Sequence, residues 1–173
     1  MKQIIDQCIK EDRIAQRILY DTYSKKMLGV CIRYATDIME AEDILQEGFI
    51  KVFNNISQYT HKGSFEGWIR RIMVNTAINK FRARKNNLEY KDELNFEIID
   101  ESYEEPNDKI SYEELLKLID KLPIGYKTVF NLYAIDGYSH KEIAKKLNHN
   151  ESTTRTQYYK SKKYLKKLIN NGK

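Results

Sequence analysis

Residues 138–168 read YSHKEIAKKLNHNESTTRTQYYKSKKYLKKL and predict two helices separated by a short polar turn. Ser139 and Glu142 have the spacing of a capping box, in which both side chains satisfy free backbone amides at a helix start. Asn148 tolerates the left-handed conformation that ends a helix, and Asn150 is a favourable N-cap for the next one. A helix, a tight turn and a second helix in this order indicate a helix-turn-helix.

The second of these helices, predicted over 151–169, has two chemically different faces. Its predicted core face consists of Thr154, Tyr158, Ser161, Leu165 and Leu168. The opposite face carries Ser152, Arg155, Thr156, Tyr159, Lys160 and Lys163. A guanidinium can bridge O6 and N7 of guanine, while hydroxyl and ammonium groups can bind phosphates. A solvated basic helix is the alternative, but the capping box and the turn favour a DNA-binding helix.

The charge along the 173 residues is divided into two basic parts around an acidic one. Residues 1–91 carry 16 basic and 11 acidic side chains, residues 92–112 carry 1 and 8, and residues 113–173 carry 13 and 6. The corresponding net charges are +5, −7 and +7, and the whole chain has a net charge of +5. This distribution is expected of two domains that face a nucleic acid and are joined by a solvated linker.

Helical periodicity dominates a chain with only 7 glycines and 2 prolines, so we predict an all-α fold. Helices are predicted over 3–10, 12–34, 38–56, 65–85, 111–121, 123–135, 139–147 and 151–169. The periodicity fails between Asn86 and Ser111, where the chain is acidic and contains Pro106, and we interpret this segment as a partly disordered linker. The alternative is docking on a neighbouring domain through its apolar residues, Leu94, Phe96, Ile98 and Ile99.

Residues 37–54, DIMEAEDILQEGFIKVFN, predict an amphipathic helix. Its apolar face consists of Ala41, Ile44, Leu45, Gly48, Phe49, Val52 and Phe53. The other face carries Asp43, Gln46, Glu47 and Ile50. An exposed isoleucine among acidic and amide groups is typical of a protein-docking surface. An ordinary surface helix is an equally well supported alternative.

The helix that follows Phe65 combines cations, amides and aromatic rings. Its predicted buried residues are Ile69, Ile72, Met73 and Thr76, and its polar stripe consists of Arg71, Asn75, Asn79 and Arg82. Further cations are Arg70, Lys80, Arg84 and Lys85, and the interleaved aromatic residues are Tyr59, Phe65, Trp68 and Phe81. This mixture is suited to single-stranded or distorted nucleic acid, although Trp68 and Phe81 are interpreted as core residues.

The remaining residue types argue against other classes of protein. Cys8 and Cys31 form no CxxC pair and lie far in sequence from the 3 histidines, so we predict no metal site. A disulfide between them is the alternative to free buried thiols, which a reducing cytosol favours and which we predict. The sequence contains no carboxylate pair, nucleophile–base set or phosphate-binding loop, so we expect neither an enzyme nor a cofactor. The N-terminal residues have no apolar run of signal-peptide or membrane-span length. We therefore expect a soluble, cytoplasmic protein without direct membrane contact.

Three segments in a fixed order resemble the extracytoplasmic-function (ECF) sigma factors of the bacterial sigma-70 family. They are DIMEAEDILQEGFIKVF at 37–53, GSFEGWIRRIMVNTAINKFR at 63–82 and LIDKLPIGYKTVFNLYAIDGYSHKEIAKKLNHNESTTRTQYYKSKKYLKKL at 118–168. The resemblance covers nearly the whole chain, residues 15–169. It implies two small helical domains, a region 2 helical bundle at 1–88 and a region 4 helix-turn-helix at 111–173, joined by a flexible acidic linker at 89–110.

The resemblance also implies the partners. Members of this family bind core RNA polymerase, through its β′ and β subunits, and direct it to promoters by recognising the −10 and −35 elements. The DNA is therefore met both as a duplex and as separated single strands. The usual regulator is an anti-sigma factor, often anchored in a membrane.

Individual residues are carried over from the family's motifs by position. The clamp-binding helix of the family matches 40–53, which implies that Asp43, Gln46, Glu47 and Ile50 meet the β′ coiled coil. The −10 helix matches 66–82, where Asn75 and the preceding loop, Gln58–Ser64, would capture a flipped base. The implied −10 contacts are Tyr59, His61, Arg71, Asn75, Asn79 and Arg82. The −35 helix matches 151–165, and the implied contacts are Ser152, Arg155, Thr156, Tyr159, Lys160 and Lys163, with Arg155, Thr156 and Lys160 as the main base readers.

Three positions depart from the family pattern. His149 and Thr154 occupy positions that are usually apolar, and Gln157 stands where a basic residue is frequent. These departures bear on the −35 sequence that is read and not on the class of protein.

Two other functions are weighed against this one. A stand-alone helix-turn-helix regulator would account for 111–169, but it gives no role to the helix 65–85 or to the surface around Ile50. A sigma-like decoy that binds an anti-sigma factor and no DNA would have no need of the cationic and amide residues Arg71, Asn75, Arg82, Arg155 and Lys160.

Overall fold

The computed structural model describes the backbone of residues 1–87 and 111–171, and the side chains of these residues except 85–87, 112 and 171. The predicted acidic linker, 89–110, lies outside the described residues. The described residues form eight α-helices and no β-strand, which confirms the predicted all-α fold. The first four helices are α1 (Lys2–Ile9), α2 (Arg13–Ile32), α3 (Ile38–Asn55) and α4 (Phe65–Asn87). The other four are α5 (Tyr112–Asp120), α6 (Ile124–Phe130), α7 (His140–Leu147) and α8 (Glu151–Asn171).

The chain divides between Arg82 and Ala83, inside α4, into two compact units. In the first unit, two of the helices have an aspartate as their N-cap. Asp12 Oδ1 accepts hydrogen bonds from the backbone N–H groups of Ile14 and Ala15 at 2.8 and 3.0 Å, and Asp37 caps α3 in the same way. A capping carboxylate satisfies amides that the helix itself cannot pair, and its charge is favourable at the positive end of the helix dipole.

The apolar face of α3 forms the centre of the first unit. Six of the seven residues predicted for this face are buried: Ala41, Ile44, Leu45, Gly48, Phe49 and Val52. Phe53, the seventh, is half-buried and lies with its ring centroid 6.1 Å from that of Phe49. Burial of apolar side chains such as these contributes about 25 cal/mol for each Å² removed from water.

Gly48 of α3 lies against the side chain of Met73 on α4. A Cβ atom built on Gly48 would overlap Sδ of Met73, which is completely buried. Ile69 and Val74 of the same helix are also buried, so Met73 belongs to a densely packed core. A side chain at position 48 would therefore require the end of the Met73 side chain to shift within this core.

In the second unit, the predicted helix 123–135 changes its winding. It is α-helical over Ile124–Phe130 and π-helical over Asn131–Ile135, where the N–H of Asp136 donates to O of Asn131 at 2.9 Å. The wider turn buries Asn131 and Leu132 completely. Single π-helical turns of this kind are rare in proteins, and those that occur are often found at functional sites.

The helix-turn-helix predicted from the sequence is confirmed by α7 and α8. Ser139 and Glu142 form the capping box, with the N–H of Ser139 donating to the Glu142 carboxylate at 2.8 Å. Asn148 ends α7 with φ of 55°, in the left-handed region. The small side chain of Ala144 is buried, as expected where a second helix crosses closely.

Thr154, at a position that is usually apolar in the family, is completely buried. Its hydroxyl donates to the backbone carbonyl oxygen atoms of Glu151 at 2.8 Å and His140 at 3.3 Å. The polar group is thereby satisfied inside the core, and it links α8 to the first residue of α7.

We expect Gly48→Ala to destabilise the first unit by about 1–3 kcal/mol, the usual cost of overpacking. Gly29 provides the matched control, because it also lies inside a helix, α2, but has no neighbouring atom within 4 Å of the position that a Cβ would take. Gly29→Ala should be neutral or stabilising by about 0.5–1 kcal/mol, since alanine favours the helix. The measurement is urea unfolding followed by fluorescence of Trp68, the single tryptophan of the chain. Equal stability of the two variants would contradict the required close contact.

Candidate protein and nucleic-acid interfaces

The four residues predicted to dock on a protein lie on the solvent side of α3. Asp43, Gln46 and Ile50 are exposed, and Glu47 is half-buried. The side chain of Ile50 is 60% exposed, so the helix leaves a large apolar group unpacked. The two acids are held by lysines: Glu47 pairs with Lys51 at 2.6 Å, within α3, and Asp43 Oδ2 lies 3.3 Å from Nζ of Lys80 on α4.

Met39 belongs to the same surface and was not predicted. It is 75% exposed and lies one turn before Asp43, so that residues 39, 43, 46 and 50 follow the spacing of one helical face. Met is flexible and polarizable, which suits a surface that adapts to a partner. The sequence could have indicated Met39, because extending the spacing of residues 43, 46 and 50 back by one helical turn reaches position 39.

The polar stripe predicted on α4 is also found on its exposed side. Arg71, Asn75, Asn79 and Arg82 are all exposed, whereas Ile69, Met73 and Thr76 on the opposite side are buried. Ile72 was predicted to be buried and is half-buried, because it borders a groove beside the stripe.

This groove has a volume of ≈ 280 Å³ and is rich in amides. Its lining consists of Lys51, Asn55, Gln58, Trp68, Ile72, Asn75, Thr76 and Asn79. Several of these side chains form hydrogen bonds with one another. Gln58 donates to Asn55 at 2.9 Å, and Lys51 donates to the Thr76 hydroxyl at 3.3 Å. An indole wall, fixed amides and a cation together are suited to an unstacked base and its phosphate.

The loop before α4 is closed by its own aromatic residues. The ring centroid of Tyr59 lies 4.9 Å from that of Phe65, 5.7 Å from that of Trp68 and 4.8 Å from that of His61. The Tyr59 hydroxyl donates to O of Gly63 at 2.8 Å. Tyr59 thus packs against Trp68, and His61 packs against Tyr59. Neither Tyr59 nor His61 lines the groove, whereas Gln58 of the same loop lines it together with Asn75.

The predicted faces of α8 are largely confirmed as faces. Thr154, Ser161 and Leu165 are buried, while Tyr158 and Leu168 are only half-buried. On the other side, Ser152, Arg155, Thr156 and Tyr159 are exposed, and Lys160 and Lys163 are half-buried. The ammonium of Lys163 lies 5.8 Å from the ring centroid of Tyr159, so the lysine stem follows the aromatic ring.

Arg155 is paired within α8 before any partner is present. Its Nη2 and Nε donate to Oε1 of Glu151 at 2.6 and 3.2 Å. The acid lies one turn towards the N-terminus of the helix, the favourable order for such a pair. Both side chains remain substantially exposed, at 63% and 41%, so the pair is accessible to a ligand.

His140, the first residue of α7, packs against aromatic rings that include Tyr158 of α8. Its ring stacks on Tyr133 with 4.3 Å between centroids and lies 5.7 Å from the ring of Tyr158. Burial, and then the positive charge of Arg155, lower the pKa of His140 below its ordinary value, whereas Glu151 acts in the opposite direction. Burial and the nearby positive charge thus favour the neutral form of this imidazole.

Cys8 and Cys31 are buried free thiols, as predicted, and burial raises the pKa of Cys31 to about 12. Across residues 1–87 and 111–171, no helix has the length and apolar character needed to cross a membrane.

Comparison with known proteins identifies two family matches that coincide with these surfaces. The family of sigma-70 region 2 matches residues 19–87, and that of sigma-70 region 4 matches residues 112–165. The ECF RNA polymerase sigma factor SigW of Bacillus subtilis is 30% identical over 181 residues, which cover 98% of this chain and 96% of that protein. The RNA polymerase sigma-H factor of Pseudomonas aeruginosa is 26% identical, with 97% and 93% covered.

Two solved structures share the fold. The sigma factor RpoE of Bartonella quintana, solved with the anti-sigma factor NepR, has a TM-score of 0.52 and 15% sequence identity, and the match covers 89% of this chain and 96% of that one. CnrH, solved with the cytosolic domain of CnrY, has a TM-score of 0.50 and 17% identity, with 98% and 97% covered.

We expect the stability of the second unit to fall as the pH drops below about 6.5, the ordinary pKa of histidine. The folded state lowers the pKa of His140, so the unfolded chain binds its proton more readily. The stabilising effect is complete above the unfolded pKa and is lost as the pH falls towards the folded pKa. His140→Gln should remove this part of the pH dependence.

The measurement is hydrogen exchange of the α7 and α8 amides between pH 5 and about 8 in both proteins. An NMR titration of the His140 ring should also give a midpoint below about 6.5. Identical pH profiles of the two proteins, or a midpoint at or above the ordinary value, would rule out the burial effect.

Proposed function

Because this chain belongs to the ECF sigma factors of the sigma-70 family, we propose that it directs core RNA polymerase to promoters through the surfaces described on its two units. Sigma factors are initiation factors without an enzymatic activity of their own. The protein therefore acts by binding, and its work is to position the polymerase and to stabilise separated promoter DNA. The observation that supports this most is the presence, within each matched region, of an exposed helix face of suitable chemistry: the α4 stripe in region 2 and the basic face of α8 in region 4.

The α3 surface is proposed to bind the β′ coiled coil of the polymerase. Ile50 and Met39 supply exposed apolar area, while Asp43, Gln46 and Glu47 supply acceptors for cationic partners. Apolar anchors surrounded by polar groups are the usual arrangement of an interface whose few central residues carry most of the binding energy. The β subunit is proposed as the second polymerase contact, by the family resemblance alone.

The α4 stripe and its groove are proposed to bind the −10 element. Arg71 and Arg82 can hold backbone phosphates on either side of the amides. In the groove, Asn75 can bond the edge of an unstacked base, and Trp68 provides an apolar wall. Tyr59, whose ring packs against Trp68, and His61, whose ring packs against Tyr59, keep their proposed place in the −10 region.

The exposed face of α8 is proposed to enter the major groove at the −35 element. Arg155 is the residue that can read guanine, and Ser152 and Thr156 add hydroxyls one turn apart. Lys160 is proposed to join Arg155 and Thr156 as a base reader. Lys163 is proposed to bind a phosphate, a contact that gives affinity without sequence information. His149 and Gln157 remain departures from the family pattern whose effect on the sequence read is open to direct measurement.

An anti-sigma factor, which can be anchored in a membrane, is proposed as the regulator, and the protein itself is proposed to work in the cytoplasm, where core polymerase and the chromosome are. The two alternatives are less well supported. A stand-alone helix-turn-helix regulator leaves Ile50 and Met39 exposed without a partner. A decoy that binds no DNA does not account for the α4 groove. Transcription from a genomic library by purified core polymerase with and without the protein distinguishes all three, because only a sigma factor creates new start sites.

We expect Ile50→Glu to weaken binding to core polymerase by roughly 2 kcal/mol or more, about 30-fold, because a central apolar anchor becomes charged. The matched control is Ile14→Glu, which changes an isoleucine on α2 that is 74% exposed. Affinity is measured by fluorescence anisotropy of the labelled protein with core polymerase, and helicity by circular dichroism. Unchanged affinity of Ile50→Glu, or an equal loss in both variants, would remove the α3 surface from the interface.

We expect Asn75→Ala to leave binding to duplex −35 DNA intact but to reduce open complexes at least about tenfold, because pulling one base from the stack costs a few kcal/mol that the groove must offset. Asn54→Ala is the control, since Asn54 is an exposed amide of α3 that does not line the groove. The measurement is permanganate reactivity of thymines in the −10 region with the holoenzyme. Normal reactivity in the Asn75 variant would show that promoter opening does not depend on this groove.

A further inference from the structure

The recognition helix α8 contains a single acidic residue, Glu151, in its first turn. This is an unfavourable place for a carboxylate on a DNA-binding helix, because the N-terminus of such a helix is where phosphates approach. The same helix carries six cations, namely Arg155, Lys160, Lys162, Lys163, Lys166 and Lys167. A single negative charge among these cations opposes non-specific binding to DNA. The contact of Glu151 with Arg155 indicates a different role for this acid.

Glu151 holds one defined edge of the Arg155 guanidinium. The hydrogen bonds of 3.2 and 2.6 Å use Nε and one N–H of Nη2, which is the side edge of the fork. Among the described residues, no side chain accepts a hydrogen bond from the end edge, which consists of Nη1 and the second N–H of Nη2. Two parallel donors on that edge match O6 and N7 of guanine, the acceptors that arginine reads in the major groove.

The pair also limits what else Arg155 can do. An unpaired arginine rotates about several bonds and can satisfy its donors on any nearby phosphate. With its side edge occupied and its charge partly neutralised, the guanidinium gains less from a phosphate, while the two donors of its end edge remain available to guanine. Thr154 lies between Glu151 and Arg155 in the first turn of α8 and is completely buried. Its hydroxyl donates to the backbone carbonyl oxygen of Glu151 and so holds the backbone from which the pair extends.

We propose that Glu151 is the positioning residue that makes Arg155 a reader of guanine and not a general phosphate contact. This inference rests on the proposed −35 role of α8. It assigns the sequence specificity of that contact to an acid that itself need not touch the DNA.

The test uses the holoenzyme, made from core polymerase and the full chain, on promoters whose −35 positions are randomised. Base preference at each position is read from the bound fraction by sequencing, for wild type, Arg155→Ala, Glu151→Gln, Glu151→Ala and Arg155→Ala/Glu151→Ala. Glu113→Gln is the matched control, because Glu113 is an exposed acid in the first turn of α5 and its loss changes the net charge equally. Binding to a scrambled duplex measures non-specific affinity.

We expect Arg155→Ala to lower the preference for guanine at one position by about 10- to 100-fold, the range of a bidentate base contact. Glu151→Gln and Glu151→Ala should lower the preference at that same position at least about threefold while non-specific binding stays equal or increases. The double variant should discriminate no worse than Arg155→Ala. Glu113→Gln should keep the wild-type preference.

Two results would overturn the inference, and they are distinguishable. If Arg155→Ala lowers the preference and both Glu151 variants keep it, Glu151 has no positioning role although the −35 contact stands. If Arg155→Ala itself leaves every base preference unchanged, the proposed −35 role of Arg155 fails and the inference about Glu151 fails with it.

Discussion

The packing of Met73 of α4 against Gly48 of α3 joins the two helices that carry the candidate surfaces of the first unit. On these helices, Ile50 of α3 and Asn75 of α4 are both exposed. The same two helices are joined beside the groove by the hydrogen bond from Lys51 to the Thr76 hydroxyl. A side chain at position 48 would require Met73 to shift, and interiors packed as densely as crystals transmit such a change to neighbouring residues.

Cations near the candidate DNA surfaces are already paired with acids in the isolated chain. Lys51 contacts Glu47, Lys80 contacts Asp43 and Arg155 contacts Glu151. Exposed pairs of this kind contribute only about 0–1 kcal/mol each to stability. Their effect is rather on selectivity, because a neutralised cation attracts DNA less strongly until a better partner takes its acid or satisfies its remaining donors.

Much of the fold was predictable because it depends on local chemistry. The capping box of Ser139 and Glu142, the left-handed Asn148 and the buried face of α3 follow from residue type and spacing alone. Features that depend on contacts between distant residues were not predictable. The packing of Tyr59 onto Phe65 and Trp68 is a tertiary contact, and with this packing Tyr59 does not line the groove. The π-helical turn after Phe130 likewise reflects core packing that periodicity does not reveal, whereas the exposure of Met39 could have been found by extending the helical spacing by one turn.

The ion pair between Asp43 and Lys80 joins the surface proposed for the polymerase to the helix proposed for the −10 DNA. If a cation of the polymerase binds the Asp43 carboxylate, the Lys80 side chain, which is 29% exposed, loses this partner and its ammonium becomes more attractive to a phosphate. Thermodynamic linkage would make this effect reciprocal, so that DNA bound to Lys80 would strengthen binding of the polymerase by the same factor. A single surface ion pair would then couple the two proposed ligands of the first unit without any change of shape.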